Sequence, residues 1–326
     1  MIPAGCKANG VLLFLGSIDV LSSGERTALR IARDRGWNVV ACTIGIDFTA
    51  SEKVTVSDKG ATRLASRIDD HLSDRAYALE AMIKYLEVER PEILVGPRVV
   101  VGMSAGAIAL AAAVARIGPV DAAVLIGGGE NVAQIITSSP LFNGHIELVE
   151  TLVDNSDPMP LVISNTPCKN SNKRRKFIER VLQESKLDPH HTAAVLYGTP
   201  VLMLHAEYDR IVRAETDQTL YESLERPERW RYRTGHIGLT AIVPWKIGYV
   251  LHWIGKTVLE RPAGGQSLAA SSMDVTPPES TFSITLSGAH RTPLQTTINE
   301  IASACPRIRF GHALKVRGGE VGRISG

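Results

Sequence analysis

The chain has 326 residues and a formal net charge of +2, and 44% of its residues are hydrophobic. This composition is typical of a globular protein with one large domain or two small ones. The nearly balanced charge gives no strong attraction to nucleic acid. No apolar run looks long enough to span a membrane, and the four cysteines are too scattered for a disulfide framework or a metal site.

Strand and helix patterns alternate from the N-terminus to about residue 130. Short continuous apolar runs predict strands buried on both faces, and apolar residues at helical spacing predict helices. Ser22-Ser23-Gly24-Glu25 offers an N-cap for the first helix, and the polar stretch Asp47–Ser66 is expected to contain a loop. The predicted strands are Gly10–Gly16, Trp37–Thr43, Val99–Val101 and Ala122–Ile126, and the predicted helices are Arg26–Arg35, Leu72–Glu89 and Ala107–Arg116.

Residues 130–195 interrupt the alternation and are expected to form an insertion. Helical patterns occur near Ile146–Val153 and Arg174–Glu184, on either side of a stretch rich in Pro, Asn and Asp. Such an insertion between two core strands suggests a lid over a site. The alternation then resumes with predicted strands Pro200–Leu204 and Trp230–Arg233 and predicted helices Glu215–Leu224 and Leu239–Leu259.

This order of elements predicts an α/β fold for residues 1–260. Strand–helix units with short connections form a doubly wound, mostly parallel sheet with helices on both faces. We expect about six strands, with a small helical lid insertion at about 130–195. Residues 261–326 are rich in Pro, Gly and Ser and lack sustained periodicity, so a poorly ordered C-terminal tail is expected.

The segment Gly102-Met103-Ser104-Ala105-Gly106 lies between an apolar strand and a helix of small residues. This layout is that of a nucleophile elbow, in which a strained turn exposes a serine hydroxyl. Gly102 and Gly106 provide the space that the turn needs, and the helix N-terminus favours developing negative charge. The alternative is an ordinary glycine-rich turn, because G-x-S-x-G also arises by chance.

Two later strands lead to residues that would complete a catalytic site. In an open parallel sheet, sites form at the carboxyl ends of the strands. Strand Pro200–Leu204 leads to Asp209, and strand Trp230–Arg233 leads to His236. Taken singly, Asp209 also suits a turn and His236 a helix cap. Together with Ser104 they follow three strands in the order expected for one class of serine hydrolase.

The segment Thr199–Val212 (TPVLMLHAEYDRIV) resembles the strand and loop that carry the catalytic aspartate in the α/β-hydrolase superfamily. Gly235-His236 resembles the family's step at the catalytic histidine. Leu187-Asp188-Pro189 is similar to a motif of the dienelactone-hydrolase-like and acylaminoacyl-peptidase-like branches. The likeness covers about Gly10–Leu259, without the two strands that usually open the family's sheet. Leu15-Gly16 also stands where the family has His-Gly.

The resemblance implies a serine hydrolase of the carboxylesterase type, which needs no metal or organic cofactor. Its expected partner is a small-molecule ester or thioester. The implied nucleophile, base and base partner are Ser104, His236 and Asp209. The backbone N–H of Ala105, together with that of Ser17 or Ile18, would form the oxyanion hole.

Other interpretations use the same residues. An acylaminoacyl-peptidase-like peptidase would need a propeller-sized N-terminal domain, and a catalytically inactive binding protein would share the fold with an occluded site. A patatin-like phospholipase would need an Asp-Gly dyad after the serine. Here only Gly127-Gly128-Gly129 follows, and we interpret it as close packing near the acyl pocket. A dipeptidase-E-like enzyme would leave Asp209 and His236 unexplained.

Two further stretches bear on partners and location. Lys173-Arg174-Arg175-Lys176 is predicted to be the solvated face of a lid helix, the alternatives being a patch for an acidic substrate group or an anionic surface. The scattered cysteines favour a reduced, cytoplasmic protein. The alternative is a lipoprotein signal ending at Ala4-Gly5-Cys6, which would need a hydrophobic stretch hidden by a start codon set too late. The oligomeric state is left open.

Overall fold

The computed structural model describes residues 8–17, 21–43, 52–142, 146–154 and 161–260. The predicted C-terminal tail and Cys6 lie outside the described residues, as does Ile18. The described strands are β1 (Val11–Leu15), β2 (Asn38–Cys42), β3 (Glu52–Thr55), β4 (Arg98–Met103), β5 (Ala122–Ile126), β6 (Ile146–Asp154), β7 (Leu161–Pro167), β8 (Val201–Ala206) and β9 (Glu228–Tyr232). The described helices are α1 (Ser23–Asp34), α2 (Asp58–Glu89), α3 (Ala105–Ile117), α4 (Val132–Ser138), α5 (Ser171–Glu184), α6 (Pro189–Thr192), α7 (Ala214–Ser223) and α8 (His236–Val258).

A six-stranded sheet in the order β2-β1-β4-β5-β8-β9 forms the centre of the fold. Every neighbouring pair in it is parallel, which confirms the predicted sheet. Parallel strands need both faces covered, so the inner strands are apolar runs rather than alternating patterns, while the edge strand β9 is partly exposed. All five residues of β1 and all five of β5 are buried for this reason.

Helices cover the two faces of this sheet. Alternate residues of β1 point to opposite sides: Leu13 packs in a cluster with α2, α3 and α7, and Leu12 packs in a cluster with α1 and α8. The first helix begins at Ser23, before its predicted start at Arg26, and is capped within the predicted N-cap segment. Ser22 accepts a hydrogen bond from the N–H of Glu25, whose carboxylate accepts from the N–H of Ser22, a capping box.

The prediction of a helical lid insertion is wrong in part. Ile146–Val153, expected to be helical, lies in strand β6, which pairs in parallel with β3 and antiparallel with β7 in a second, three-stranded sheet. The apolar residues of this segment fit the spacing of a helix as well as that of a strand, so its pairing with β3 and β7 determines that it forms a strand. The predicted helix Arg174–Glu184 is confirmed within α5. The predicted loop Asp47–Ser66 includes β3 and the first turns of α2.

Helix α8 is, among the described residues, the one helix long and apolar enough to cross a membrane by length and composition. The sequence analysis expected no such stretch. A core helix of a globular fold passes the same test, and one face of α8 packs in the cluster beneath the sheet. The buried residues of that face are Leu239, Val243, Ile247, Val250, Leu251 and Ile254.

Candidate functional site

The structure brings the three predicted site residues together at the carboxyl edge of the central sheet. Ser104 directly follows β4, and Asp209 lies in the turn after β8. His236 is the first residue of α8, a short turn after β9. Because these strands are parallel, their carboxyl ends lie on the same edge, and residues far apart in sequence meet there.

Ser104 lies on a strained turn between β4 and α3. Its φ of 53° and ψ of −116° are outside the regions that non-glycine residues normally adopt. The turn is held by the Ser104 N–H, which donates to the carbonyl of Ile126 at 2.8 Å. Ala105 is the first residue of α3, so its N–H has no acceptor within the helix. The structure thus has a strained strand–turn–helix segment at Ser104.

The two glycines of the turn are required by close backbone contacts. A Cβ on Gly106 would lie 2.1 Å from the carbonyl oxygen of Leu15, and one on Gly102 would lie 2.6 Å from the carbonyl oxygen of Gly106. Any side chain at either position would displace backbone. The Gly106 contact also shows that the end of β1 lies directly against the turn that carries Ser104.

Two hydrogen bonds join the three side chains. Asp209 Oδ2 is 2.7 Å from His236 Nδ1, and His236 Nε2 is 2.8 Å from Ser104 Oγ. A carboxylate only accepts, so Nδ1 carries the proton, and Nε2 of a neutral imidazole is free to accept from the serine. Asp209 Oδ1 in turn accepts from the N–H groups of Ile211 and Val212 at 2.8 and 2.9 Å. All three side chains are buried, and Ser104 is 9% exposed.

The glycine run after β5 packs behind this arrangement. A Cβ on Gly127 would lie 3.3 Å from Cε1 of His236, and Gly127 has a positive φ of 62°. Gly128 packs on Ala107, where a Cβ would lie 2.9 Å from the Ala107 Cβ. The run therefore provides close packing, as predicted, and limits the room in which the imidazole can move.

The loop after β1 corrects one predicted donor. The Ser17 N–H donates to Glu25 Oε1 at 2.9 Å, so it is engaged and is not a free oxyanion donor. Buried Arg75 holds the other side of the loop, donating from Nη1 to the Gly16 carbonyl at 3.0 Å and from Nη2 to the Ser17 carbonyl at 3.3 Å. From the sequence, Glu25 was expected only as part of the N-cap segment. No sequence pattern indicated Arg75, which reaches the loop from α2.

Glu25 fixes this loop beside Ser104, so its replacement should slow any reaction at Ser104 more than a loss of stability alone explains. We expect Glu25→Ala to lower kcat about tenfold, less than the full loss of an oxyanion donor. Ser22→Ala is the matched control, since it weakens the same helix cap by about 1 kcal/mol without removing the Glu25 carboxylate. Steady-state kinetics measures kcat for the two variants, and thermal unfolding measures their stability. Equal kcat values in the two variants would show that Glu25 serves the helix alone.

A second buried histidine–carboxylate pair lies away from the serine. His205 Nδ1 is 2.8 Å from Asp217 Oδ2, and Arg229 also pairs with Asp217. His205 thus pairs with Asp217 within the fold and takes no part in the hydrogen bonds at Ser104. Among the described residues no group of three or more His, Cys, Asp or Glu side chains is arranged to hold a metal. The basic run of α5 is largely exposed, with Lys173 paired to Glu150 and Arg175 to Glu179.

Asp188 is structural as well. It caps α6, and its carboxylate accepts from the backbone N–H groups of Asn131 and Val132, which ties α6 to the start of α4. Burial raises the pKa of this carboxyl above its ordinary value, although those hydrogen bonds oppose the shift. The Leu187-Asp188-Pro189 motif therefore anchors the insertion rather than contributing to the cluster at Ser104.

No family model and no curated protein matches the sequence, but solved structures match the fold. An acylaminoacyl peptidase from Pyrococcus horikoshii aligns with a TM-score of 0.50 and 13% identity, over 80% of this chain and 39% of that chain. An esterase from Pyrococcus furiosus gives 0.48 and 15%, over 77% and 84%. The protein Est1E from Butyrivibrio proteoclasticus gives 0.47 and 13%, over 78% and 92%. At such identities the likeness concerns the fold, and the chain has the α/β-hydrolase fold.

Proposed function

We propose that this protein is a serine hydrolase that cleaves a carboxylic ester or thioester through an acyl-enzyme intermediate. The observation that carries the proposal is the chain of hydrogen bonds from Asp209 through His236 to Ser104. Ser104 lies on a strained turn at the carboxyl edge of the sheet. A structural serine needs neither a strained backbone nor a buried imidazole aimed at its hydroxyl.

The proposed reaction uses each residue in one role. Ser104 Oγ attacks the acyl carbonyl while His236 Nε2 takes its proton, and the same proton then goes to the departing alcohol or thiol. Water, activated by His236, releases the acid from the serine ester. Asp209 holds the imidazole in the required tautomer and stabilises its positive charge. The N–H of Ala105 stabilises the developing oxyanion at the start of α3.

The second oxyanion donor is proposed to come from the loop held by Glu25 and Arg75. The sequence suggested Ser17 or Ile18 for this donor. Because the Ser17 N–H donates to Glu25, Ile18 is the one that remains. The Gly106 contact with β1 supports this assignment, because it keeps the start of that loop against the serine turn.

A panel of substrates tests the activity and separates it from the two alternatives. We expect turnover of p-nitrophenyl esters, from acetyl to octanoyl, and of acyl thioesters, with kcat/KM well above that for aminoacyl-naphthylamides. Preference for the naphthylamides would instead favour a peptidase. Absence of turnover of every ester and amide would favour the inactive binding protein, and the acyl-chain profile would define the substrate.

A further inference from the structure

The outer face of α8 carries an exposed apolar stripe. Ile237, Trp245 and Tyr249 are 74%, 82% and 64% exposed, and the exposed Ala241 lies between the first two. These residues recur every four positions, so their side chains follow one line along the helix. We call these four residues, Ile237, Ala241, Trp245 and Tyr249, the apolar stripe.

Such a stripe is unusual on a helix whose opposite face is already buried. A surface helix normally presents polar residues outward, and a helix that is apolar all round is normally covered on every side. Only a third of the most apolar 18-residue stretch of α8 is buried. Solvent contact of a tryptophan and a tyrosine in one line therefore indicates a surface that something else covers.

The surroundings of the stripe are basic. Helix α8 contains no Asp or Glu, and its charged residues are Lys246 and Lys256. Lys246 Nζ lies 5.3 Å from the centre of the Tyr249 ring, and Arg35 Nη1 donates to the carbonyl of Gly248 at 3.3 Å. These two contacts place positive charges directly beside the aromatic residues.

The neighbouring helix α1, which packs along α8, adds to this charge. Its exposed basic residues, with Arg35 at its end, are Arg26, Arg30, Arg33 and Arg35. The exposed carboxylate in the same segment is Asp34, which pairs with Arg33. The face of α8 that carries the stripe therefore has Lys246 and Arg35 as its charged neighbours, and the other arginines of α1 add exposed positive charge beyond them.

We propose that this face docks on an anionic lipid surface, with Trp245 and Tyr249 in the headgroup region. Tryptophan and tyrosine favour the interface between lipid and water, and basic residues beside them are attracted to anionic headgroups. A two-fold contact between two copies would instead place Lys246 and Arg35 of one copy near those of the other, and this repulsion disfavours it. The docking is peripheral and does not depend on the proposed hydrolase activity.

The stripe begins beside the candidate site, because Ile237 follows His236. Docking along the stripe would bring the N-terminal end of α8, which carries His236, close to the lipid surface. The site would then receive substrates that partition into the interface, a consequence that does rest on the proposed function. The binding measurement below is made without substrate, so its failure and the failure of the hydrolase proposal are distinguishable.

Vesicle partitioning of the full chain tests the proposal. We expect binding to phosphatidylcholine vesicles that contain 30% phosphatidylglycerol, weakened by salt, and little binding to phosphatidylcholine alone. Tryptophan emission should shift to the blue, and the change should come from Trp245, since Trp37 is buried and the indoles of Trp230 and Trp253 donate to Glu228. Lys246→Glu should weaken binding at least fivefold, from the contribution of a basic side chain near the surface.

Trp245→Asp is the second variant, and Val88→Asp is its matched control, because Val88 is 78% exposed on α2. We expect Trp245→Asp to abolish binding to the vesicles and Val88→Asp to leave binding unchanged. Absence of binding to anionic vesicles, equal binding to neutral ones, or equal binding by the two aspartate variants would overturn the proposal. So would light scattering that shows a dimer which Trp245→Asp converts to a monomer, because a second copy would then cover the stripe.

Discussion

Replacing Ser104 with alanine should lower kcat/KM for an ester substrate by at least about 10⁴-fold, with folding unchanged. The variant keeps the oxyanion donor and the imidazole but has no oxygen to form the acyl-enzyme. Initial rates with p-nitrophenyl butyrate measure the loss, and thermal unfolding checks the fold. Alanine fits the turn as well as serine does, since both carry one Cβ in the same strained conformation.

Ser139→Ala provides the control for Ser104→Ala. Ser139 is fully buried at the C-terminal end of α4, and its hydroxyl accepts a hydrogen bond from the N–H of Leu141. Its loss should cost stability without changing kcat. If Ser104→Ala retained a rate within tenfold of the wild type, another residue would be the nucleophile and the proposed mechanism would be wrong.

Asp209→Asn should lower kcat by about 10³- to 10⁴-fold, a magnitude known from serine proteases. The reason is visible in the hydrogen bonds of the carboxylate. Oδ1 accepts from two backbone N–H groups, so the amide oxygen of asparagine must take that position. The amide NH₂ then faces Nδ1 of His236 and donates to it. The ring proton moves to Nε2, which can no longer accept the proton of Ser104.

Asp217→Asn is a closely matched comparison, because Asp217 is also a buried carboxylate bonded to a histidine Nδ1. We expect it to lower the midpoint of thermal unfolding, since it weakens the pairing with Arg229, and to leave kcat within about twofold. Initial rates at saturating ester concentration give kcat, and a thermal unfolding curve gives the midpoint. Similar losses of kcat in the two variants would mean that the His236–Asp209 contact has no special role in the reaction.

Much of this architecture could be predicted because its signals are local. The inner strands of the central sheet are buried on both faces, so β1 and β5 are uninterrupted apolar runs that periodicity identifies directly. Ser104 and Asp209 could be predicted because each follows such a strand. His236 follows the partly exposed strand β9, so its Gly-His step was the stronger signal, and parallel strands bring all three carboxyl ends to one edge. Their mutual hydrogen bonds follow from that arrangement.

The features that could not be predicted depend on contacts distant in sequence. Strand β6 has apolar spacing that suits either a helix or a strand, and its pairing with β3 and β7 decides between them. The Ser17 donor was assigned by position in the chain, but the carboxylate of Glu25, eight residues away, takes its N–H. Arg75 lies 59 residues from Gly16, and no local pattern indicates that its guanidinium reaches that carbonyl.

The central claim is that Ser104 is an activated nucleophile, and covalent labelling tests it most directly. The protein is treated with a fluorophosphonate probe, digested and mapped by mass spectrometry. The proposed mechanism predicts one adduct, on Ser104, absent in Ser104→Ala and formed far more slowly in Asp209→Asn than in Asp217→Asn. Labelling that persists in Ser104→Ala, or a folded wild-type protein that does not react, would contradict it.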